Sequence, residues 1–251
     1  MAMYADLRDP VLPDPARARA NFHVAVKLAL VFVAVLWMIQ VLLGGDVDPG
    51  LFGVRPRQWI GLLGIFSAPL VHGDYAHLTG NSVPLVVLGS AMLYLYPRSS
   101  RIVLPAVYLL PGIAVWLFAR GSSHIGASGL VYGMFAYVLA AGLLRRDRRA
   151  IATSLLVVFL YGTLVWGVLP IEPRMSWETH LAAAIVGVAL AFALRARDVV
   201  VRRTYSWEGE PQIHEHDDDA PWRLAPAPAT VDDPGQTRAL APVRNVSVDP
   251  P

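Results

Sequence analysis

Six apolar runs, each near the roughly 17–25 residues that a helix needs to cross the hydrocarbon core of a bilayer, fill the chain from about residue 22 to residue 194. They cover residues 22–43, 77–96, 102–119, 125–144, 150–169 and 177–194. None shows the period-2 alternation of a barrel strand, so the pattern predicts helices. The fold class expected is all-α, a polytopic bundle of six transmembrane helices. Composition agrees: 55% of the 251 residues are hydrophobic and 16% are charged, against about 25% charged in soluble domains. The mean hydropathy is +0.47. A soluble globular enzyme and a disordered chain are both disfavoured.

Basic residues sort the connections into two sets. One set carries Arg8, Arg17, Arg19 and Lys27, then Arg98 and Arg101, then Arg145, Arg146, Arg148 and Arg149, then Arg195, Arg197, Arg202 and Arg203. The other has only Arg55, Arg57, Arg120 and Arg174. The bias holds at every crossing and predicts cytoplasmic N- and C-termini in a cell membrane, with the lipid bilayer as constant partner. The loop Arg145-Arg146-Asp147-Arg148-Arg149 reads as a topology anchor. Gly44-Gly45-Asp46 makes a poor cleavage site, so the first run is expected to be retained rather than removed as a signal peptide.

The domain reading is a cytoplasmic segment over 1–21, a membrane domain over 22–195 and a cytoplasmic tail over 196–251. The segment 44–75 is a long outer loop whose apolar stretches are too short to span, which places it partly in the interface. From about residue 204 the composition turns to Asp, Pro, Glu and His, as in a disordered extension. There His214, His216, Asp217, Asp218 and Asp219 admit metal binding, but a solvated acidic run is the simpler reading. A net charge of +2 gives no reason to expect nucleic acid. Without cysteine the chain has no disulfide, thiolate metal site, iron–sulfur cluster or cysteine nucleophile. Nearly all its basic residues are Arg, a weak hint of a high-GC, bacterial coding genome.

Polar groups inside a span are costly, and by default they mark function. His72 and Asp74 precede the second span; His77 and Asn81 lie in its first turns. Ser128 lies early in the fourth span, and Glu178 and His180 open the sixth. Spans two, four and six all start on the outer side. Ser128 and His180 each sit three residues into their runs, about 5 Å deep. Three helices therefore place a hydroxyl, an imidazole and an imidazole–amide pair in one layer. A serine with a histidine within reach can perform nucleophilic acyl transfer, and Asn or His donors beside backbone N–H groups can hold an oxyanion. Gly126 and Gly129 flank Ser128 and let backbone approach closely. His77 and Asn81, four apart, share a helix face. Tyr132, one turn after Ser128, is placed to stack on His180. Gly129 and Gly133, and the stripe His180, Ala184, Gly187 and Ala191, are small enough for close helix contact in lipid.

The set His72-x4-His77-x3-Asn81, then Gly126-Ala127-Ser128-Gly129 with Tyr132, then His180 opening the last span, resembles the rhomboid family of intramembrane serine proteases in its minimal six-helix bacterial form. The likeness covers about residues 22–195. It implies a Ser–His dyad without an acid, with Ser128 as nucleophile and His180 as base. It further implies an oxyanion hole of His77, Asn81 and the Ser128 N–H, with His72 bordering a water-filled cavity and Tyr132 orienting His180. It implies a first loop lying sideways in the bilayer and a fifth span acting as a lateral gate. Substrates would be transmembrane proteins cut near the outer face, and no cofactor is required. Two positions depart from the pattern. Ala183 stands where the family often has Gly, which puts the contact between spans four and six in question. Arg57-Gln58-Trp59 is the nearest match to a Trp-Arg pair that some members carry in the first loop.

Other readings stay open at the level of sequence. Ser128 alone is a common helix-packing serine, Asn81 and His77 can bond between helices, and Glu178 and Asp74 suit outer water. A rhomboid-like pseudoprotease would bind transmembrane clients without cutting them, although such relatives usually lose the serine or the histidine. His72, His77, His124 and His180 also admit a metal or a b-type haem, against which stands the absence of an HExxH motif.

Overall fold

The computed structural model describes residues 15–43, 47–160, 166–172 and 175–198. Arg174 and the tail residues His214, His216, Asp217, Asp218 and Asp219 lie outside the described residues. Seven α-helices are described: α1 (Pro15–Leu43), α2 (Gly64–Ser67), α3 (Tyr75–Leu95), α4 (Pro97–Phe118), α5 (Ser128–Arg145), α6 (Arg148–Leu160) and α7 (Trp177–Ala193). This is an all-α membrane bundle. Among the described residues, α1, α3, α4 and α5 are long and apolar enough to cross a membrane, while α7 is a shorter apolar helix of 17 residues.

Helix boundaries follow local chemistry. Asp74 caps α3 by accepting from the His77 N–H at 2.7 Å. The α3–α4 turn ends at Pro97, in the first turn of α4, where a missing N–H costs nothing. Asp198 closes the start of α4 by accepting from the N–H groups of Arg98 and Ser99 and from the Ser99 hydroxyl. α5 ends at Arg146 in the left-handed region, and Asp147 then caps α6. The fifth run departs from expectation. Its described helix ends at Leu160, residues 161–165 lie outside the described residues, and Trp166–Val168 is a single 3-10 turn. Pro170 disfavours helical backbone at Leu169, which accounts for that turn.

α5 is the hub and packs against α3, α4, α6 and α7, while α1 leans on α3. Trp37 of α1 donates its indole N–H to Ser82 of α3 at 3.1 Å. The α5–α7 contact is tight: a Cβ built on Gly187 would stand 2.3 Å from the Gly133 carbonyl oxygen. At the other end of α5, Tyr137 meets Tyr96 edge to face at 5.4 Å, and the Arg145 guanidinium sits 4.8 Å above the Tyr96 ring.

The first loop is built from 3-10 turns and the single turn α2, and it docks on the C-terminal end of α4. The Arg57 N–H donates to the Trp116 carbonyl, its guanidinium donates to the Ala119 carbonyl at 2.9 Å, and the Trp116 indole donates to the Gln58 carbonyl. Trp59 lies against Trp116 with ring centroids 6.5 Å apart. Arg57, Gln58 and Trp59 therefore anchor the loop. Val54 pairs with His124 through two backbone hydrogen bonds, fastening the loop to the segment that leads into α5.

Candidate active site

Ser128 is the first residue of α5, so it lies at the helix entrance and not a turn inside it. The 124–127 segment in front of it is held at three of its four residues. His124 pairs with Val54, the Gly126 N–H donates to the Ala68 carbonyl at 2.9 Å, and the Ala127 N–H donates to His72 Nε2 at 3.2 Å. Gly126 takes φ +107°, a conformation that L side chains rarely adopt. A side chain is excluded there for a second reason. A Cβ at Gly126 would stand 2.6 Å from Cε1 of His77, whose ring covers that glycine.

His180 is the fourth residue of α7 and is 5% exposed. Its Nε2 lies 2.7 Å from Ser128 Oγ and its Nδ1 lies 2.8 Å from the Gly167 carbonyl oxygen. A carbonyl only accepts, so Nδ1 carries the proton and Nε2 presents a lone pair to the Ser128 hydroxyl. Tyr132 stacks on the same imidazole with centroids 4.0 Å apart and planes 8° from parallel. Its hydroxyl end occupies the space a side chain at Gly167 would need. The Gly167 acceptor was not foreseen from sequence. A backbone carbonyl has no side-chain signature, and residue 167 falls within a run that reads as continuous helix.

His77 and Asn81 share a face of α3 as expected. The Asn81 amide donates to the His77 carbonyl at 3.2 Å, which leaves its second N–H hydrogen unassigned. His77 reaches the Ser128 segment through Gly126. His72 is fully buried. It accepts from Ala127 and meets His77 edge to face at 5.1 Å. Burial, and secondarily the nearby His77, push its pKa down to about 4, with Asp74 opposing. The ring is therefore neutral around pH 7, as its acceptor role requires.

Gly129 faces Thr179 of α7, with 3.1 Å available between a built Cβ and the threonine methyl. The stripe on α7 that meets α5 runs through His180, Ala183, Gly187 and Ala191, all buried, whereas Ala184 is only half-buried. Ala183 fits fully buried, so its methyl does not part the helices. Glu178 departs from the expectation of outer water. Its side chain is 12% exposed and pairs with Arg120 at 3.2 Å. His124 belongs to that neighbourhood: Nδ1 meets the Ser176 hydroxyl at 3.1 Å, and Nε2 meets Ser122 and the Arg120 carbonyl. Asp74 is exposed and spends its carboxylate on the α3 cap. Among the described residues, no group of three or more His, Cys, Asp or Glu is arranged to hold a metal ion.

The model of the rhomboid domain matches residues 56–197, more than half of the chain. The chain belongs to the rhomboid family. It is also 36% identical over 212 residues to uncharacterised proteins of Mycobacterium bovis and Mycobacterium tuberculosis, covering 78% of this chain and 87% of each relative. An uncharacterised protein of Mycobacterium leprae is 36% identical over 192 residues, covering 71% of this chain and 74% of that relative. This rhomboid is a multi-pass membrane protein, and these relatives are bacterial.

Proposed function

We propose that this rhomboid is an intramembrane serine endopeptidase that cuts transmembrane proteins near the outer face of the cell membrane, with both termini cytoplasmic. The observation that carries the reading is the 2.7 Å contact from Ser128 Oγ to His180 Nε2, with Nδ1 held by the Gly167 carbonyl. That geometry supports a nucleophile and a base already in the right tautomer.

In this reading Ser128 Oγ attacks the scissile carbonyl carbon while its proton passes to His180 Nε2. The oxyanion is met by the Ser128 N–H, the Asn81 amide and His77. Collapse of the tetrahedral intermediate breaks the C–N bond, and the imidazolium gives its proton to the leaving amine. Water then enters, His180 takes its proton, and hydrolysis of the ester restores Ser128. Among the described residues no carboxylate hydrogen-bonds to the imidazole, and the charged ring is stabilised by the Gly167 carbonyl dipole and the Tyr132 face. No cofactor takes part.

A serine-reactive fluorophosphonate probe tests this directly. The wild-type protein in detergent or proteoliposomes is expected to become labelled, and Ser128→Ala and His180→Ala to lose both labelling and cleavage of a reporter transmembrane substrate. Wild-type protein that neither labels nor cuts would point instead to a client-binding pseudoprotease. Asn81→Ala is expected to lower kcat by about 10²–10³ if its amide meets the oxyanion; a full-rate variant removes that role.

A further inference from the structure

The dyad joins two helices that are not adjacent in sequence, so something must set how α5 and α7 meet at their N-terminal ends. Small residues settle the middle of that contact, at Gly133 and Gly187. At the Ser128 end a second, polar device is present. Arg120 Nε pairs with Glu178 Oε1 at 3.2 Å, and Arg120 Nη2 donates to the Met175 carbonyl at 2.5 Å. His124 Nε2 lies 3.3 Å from the Arg120 carbonyl, which can only accept, so Nε2 bears the proton and Nδ1 accepts from the Ser176 hydroxyl. Two side chains ahead of α5 thus grip three groups at and just before the start of α7: the Met175 carbonyl, the Ser176 hydroxyl and the Glu178 carboxylate.

The register gives this grip its purpose. His124 stands four residues before Ser128, and Ser176 four residues before His180. Between His124 and Ser128 the backbone is pinned by Val54, Ala68 and His72, so it has little slack. Between Ser176 and His180 runs the first turn of α7, with the His180 N–H donating back to the Ser176 carbonyl. A shift at the His124–Ser176 contact is therefore passed to the oxygen and nitrogen of the dyad with little loss. Glu178 Oε2 is buried with no hydrogen-bond partner, so the carboxylate depends on Arg120 for its charge compensation.

We infer that Arg120, His124, Ser176 and Glu178 form a clasp of positioning residues that sets the Ser128–His180 distance, an inference that rests on the protease reading above. None of the four touches the reacting atoms. The clasp acts on the chemical step and leaves substrate binding alone, because a small displacement of a reacting group costs rate steeply.

The test uses the full-length protein in proteoliposomes, with a transmembrane reporter and the fluorophosphonate probe. Arg120→Met keeps the length of the side chain and removes the guanidinium. It is expected to lower kcat and the labelling rate together by about tenfold with KM within about twofold. Arg120→Lys, which can hold either Glu178 or the Met175 carbonyl, is expected to fall between Arg120→Met and wild type. Ser176→Ala removes a single hydroxyl and is expected to slow labelling by about threefold; it decides the matter if Arg120→Met does not fold. Wild-type labelling rates in Arg120→Met and Ser176→Ala, or a raised KM at unchanged kcat, would overturn the clasp while leaving the dyad standing. Wild-type protein without Ser128-dependent labelling brings down the protease reading and the clasp with it, and is told apart because no variant is needed to see it.

Discussion

α1 and α5 are both apolar helices, yet they live in opposite surroundings. The most apolar stretch of α1 has a hydropathy of 2.5 and only 22% of it is buried inside the protein; for α5 the values are 1.4 and 61%. The buried residues of α1 form one stripe, Ala25, Ala29, Val33, Leu36 and Gln40, while Leu28, Val31, Met38 and Leu42 point away from the protein. α5 is covered nearly all round and is rich in small residues: Gly129, Gly133, Ala136, Ala141 and Gly142 are all buried. In a membrane the greasier helix is the more exposed one, because lipid replaces water as the outer solvent. Moderate hydropathy with glycine, alanine and a few polar groups marks the helix that faces other helices.

The hub is where this contrast breaks most readily. Gly187→Ala puts a methyl 2.3 Å from the Gly133 carbonyl oxygen, inside van der Waals contact, so α7 must retreat from α5. A loss of roughly 1–3 kcal/mol of stability is expected, read as a lower unfolding midpoint in detergent, with labelling at Ser128 slowed as well. An undisturbed midpoint would mean that the α5–α7 contact is looser than the geometry implies.

An effect of comparable size is expected from pH. His72, buried against the segment leading into α5, has a folded pKa of about 4 against an ordinary value of 6.5. Below pH 6.5 the unfolded chain takes up a proton there that the folded chain refuses. The stabilisation this neutral histidine allows is present above pH 6.5 and is lost as pH falls toward 4, with no further loss from this group below that. His72→Gln is expected to flatten the fall in unfolding midpoint between pH 6.5 and 4, and an identical slope in both proteins would exclude His72 as its source. Least of all is expected from α1. Val31 is 60% exposed, so Val31→Ala should move stability by no more than about 0.5 kcal/mol. A larger change in the unfolding midpoint would show that α1 has a protein neighbour on its lipid-facing side.

The same contrast explains what the amino-acid order reveals. Long apolar runs predict both ends of α3 and α5 to within three residues and the C-terminal ends of α1 and α4 to within one, because lipid imposes a length and a composition, whereas α1 and α4 begin seven and five residues before their runs, in polar sequence that hydropathy does not mark. The meeting of Ser128 with His180 is legible from their order and shared depth at the starts of two outward-facing runs. What escapes is whatever depends on backbone or on loop charges. The Gly167 carbonyl is invisible because every residue has one. Arg120 and Glu178 look water-facing because each sits beside a span boundary, and only the fold turns them toward one another. The choice of Ala183 over Ala184 as the buried neighbour on α7 turns on a rotation of one residue about the helix axis, finer than the spacing of small residues defines. The end of the fifth helix is hidden because apolar residues continue past Leu160 to Pro170 while the described backbone beyond it forms a 3-10 turn.

The parallel stack of Tyr132 on His180 has a consequence for speed. An imidazole at a helix start ordinarily samples several rotamers, and a reaction must wait for the right one. Here one face is blocked by a phenol ring and one edge is tethered to Gly167, so the ring has almost no torsional freedom left to surrender. On the protease reading proposed above, its ordering is completed once, when the helices assemble, and need not be repeated at each encounter with a substrate.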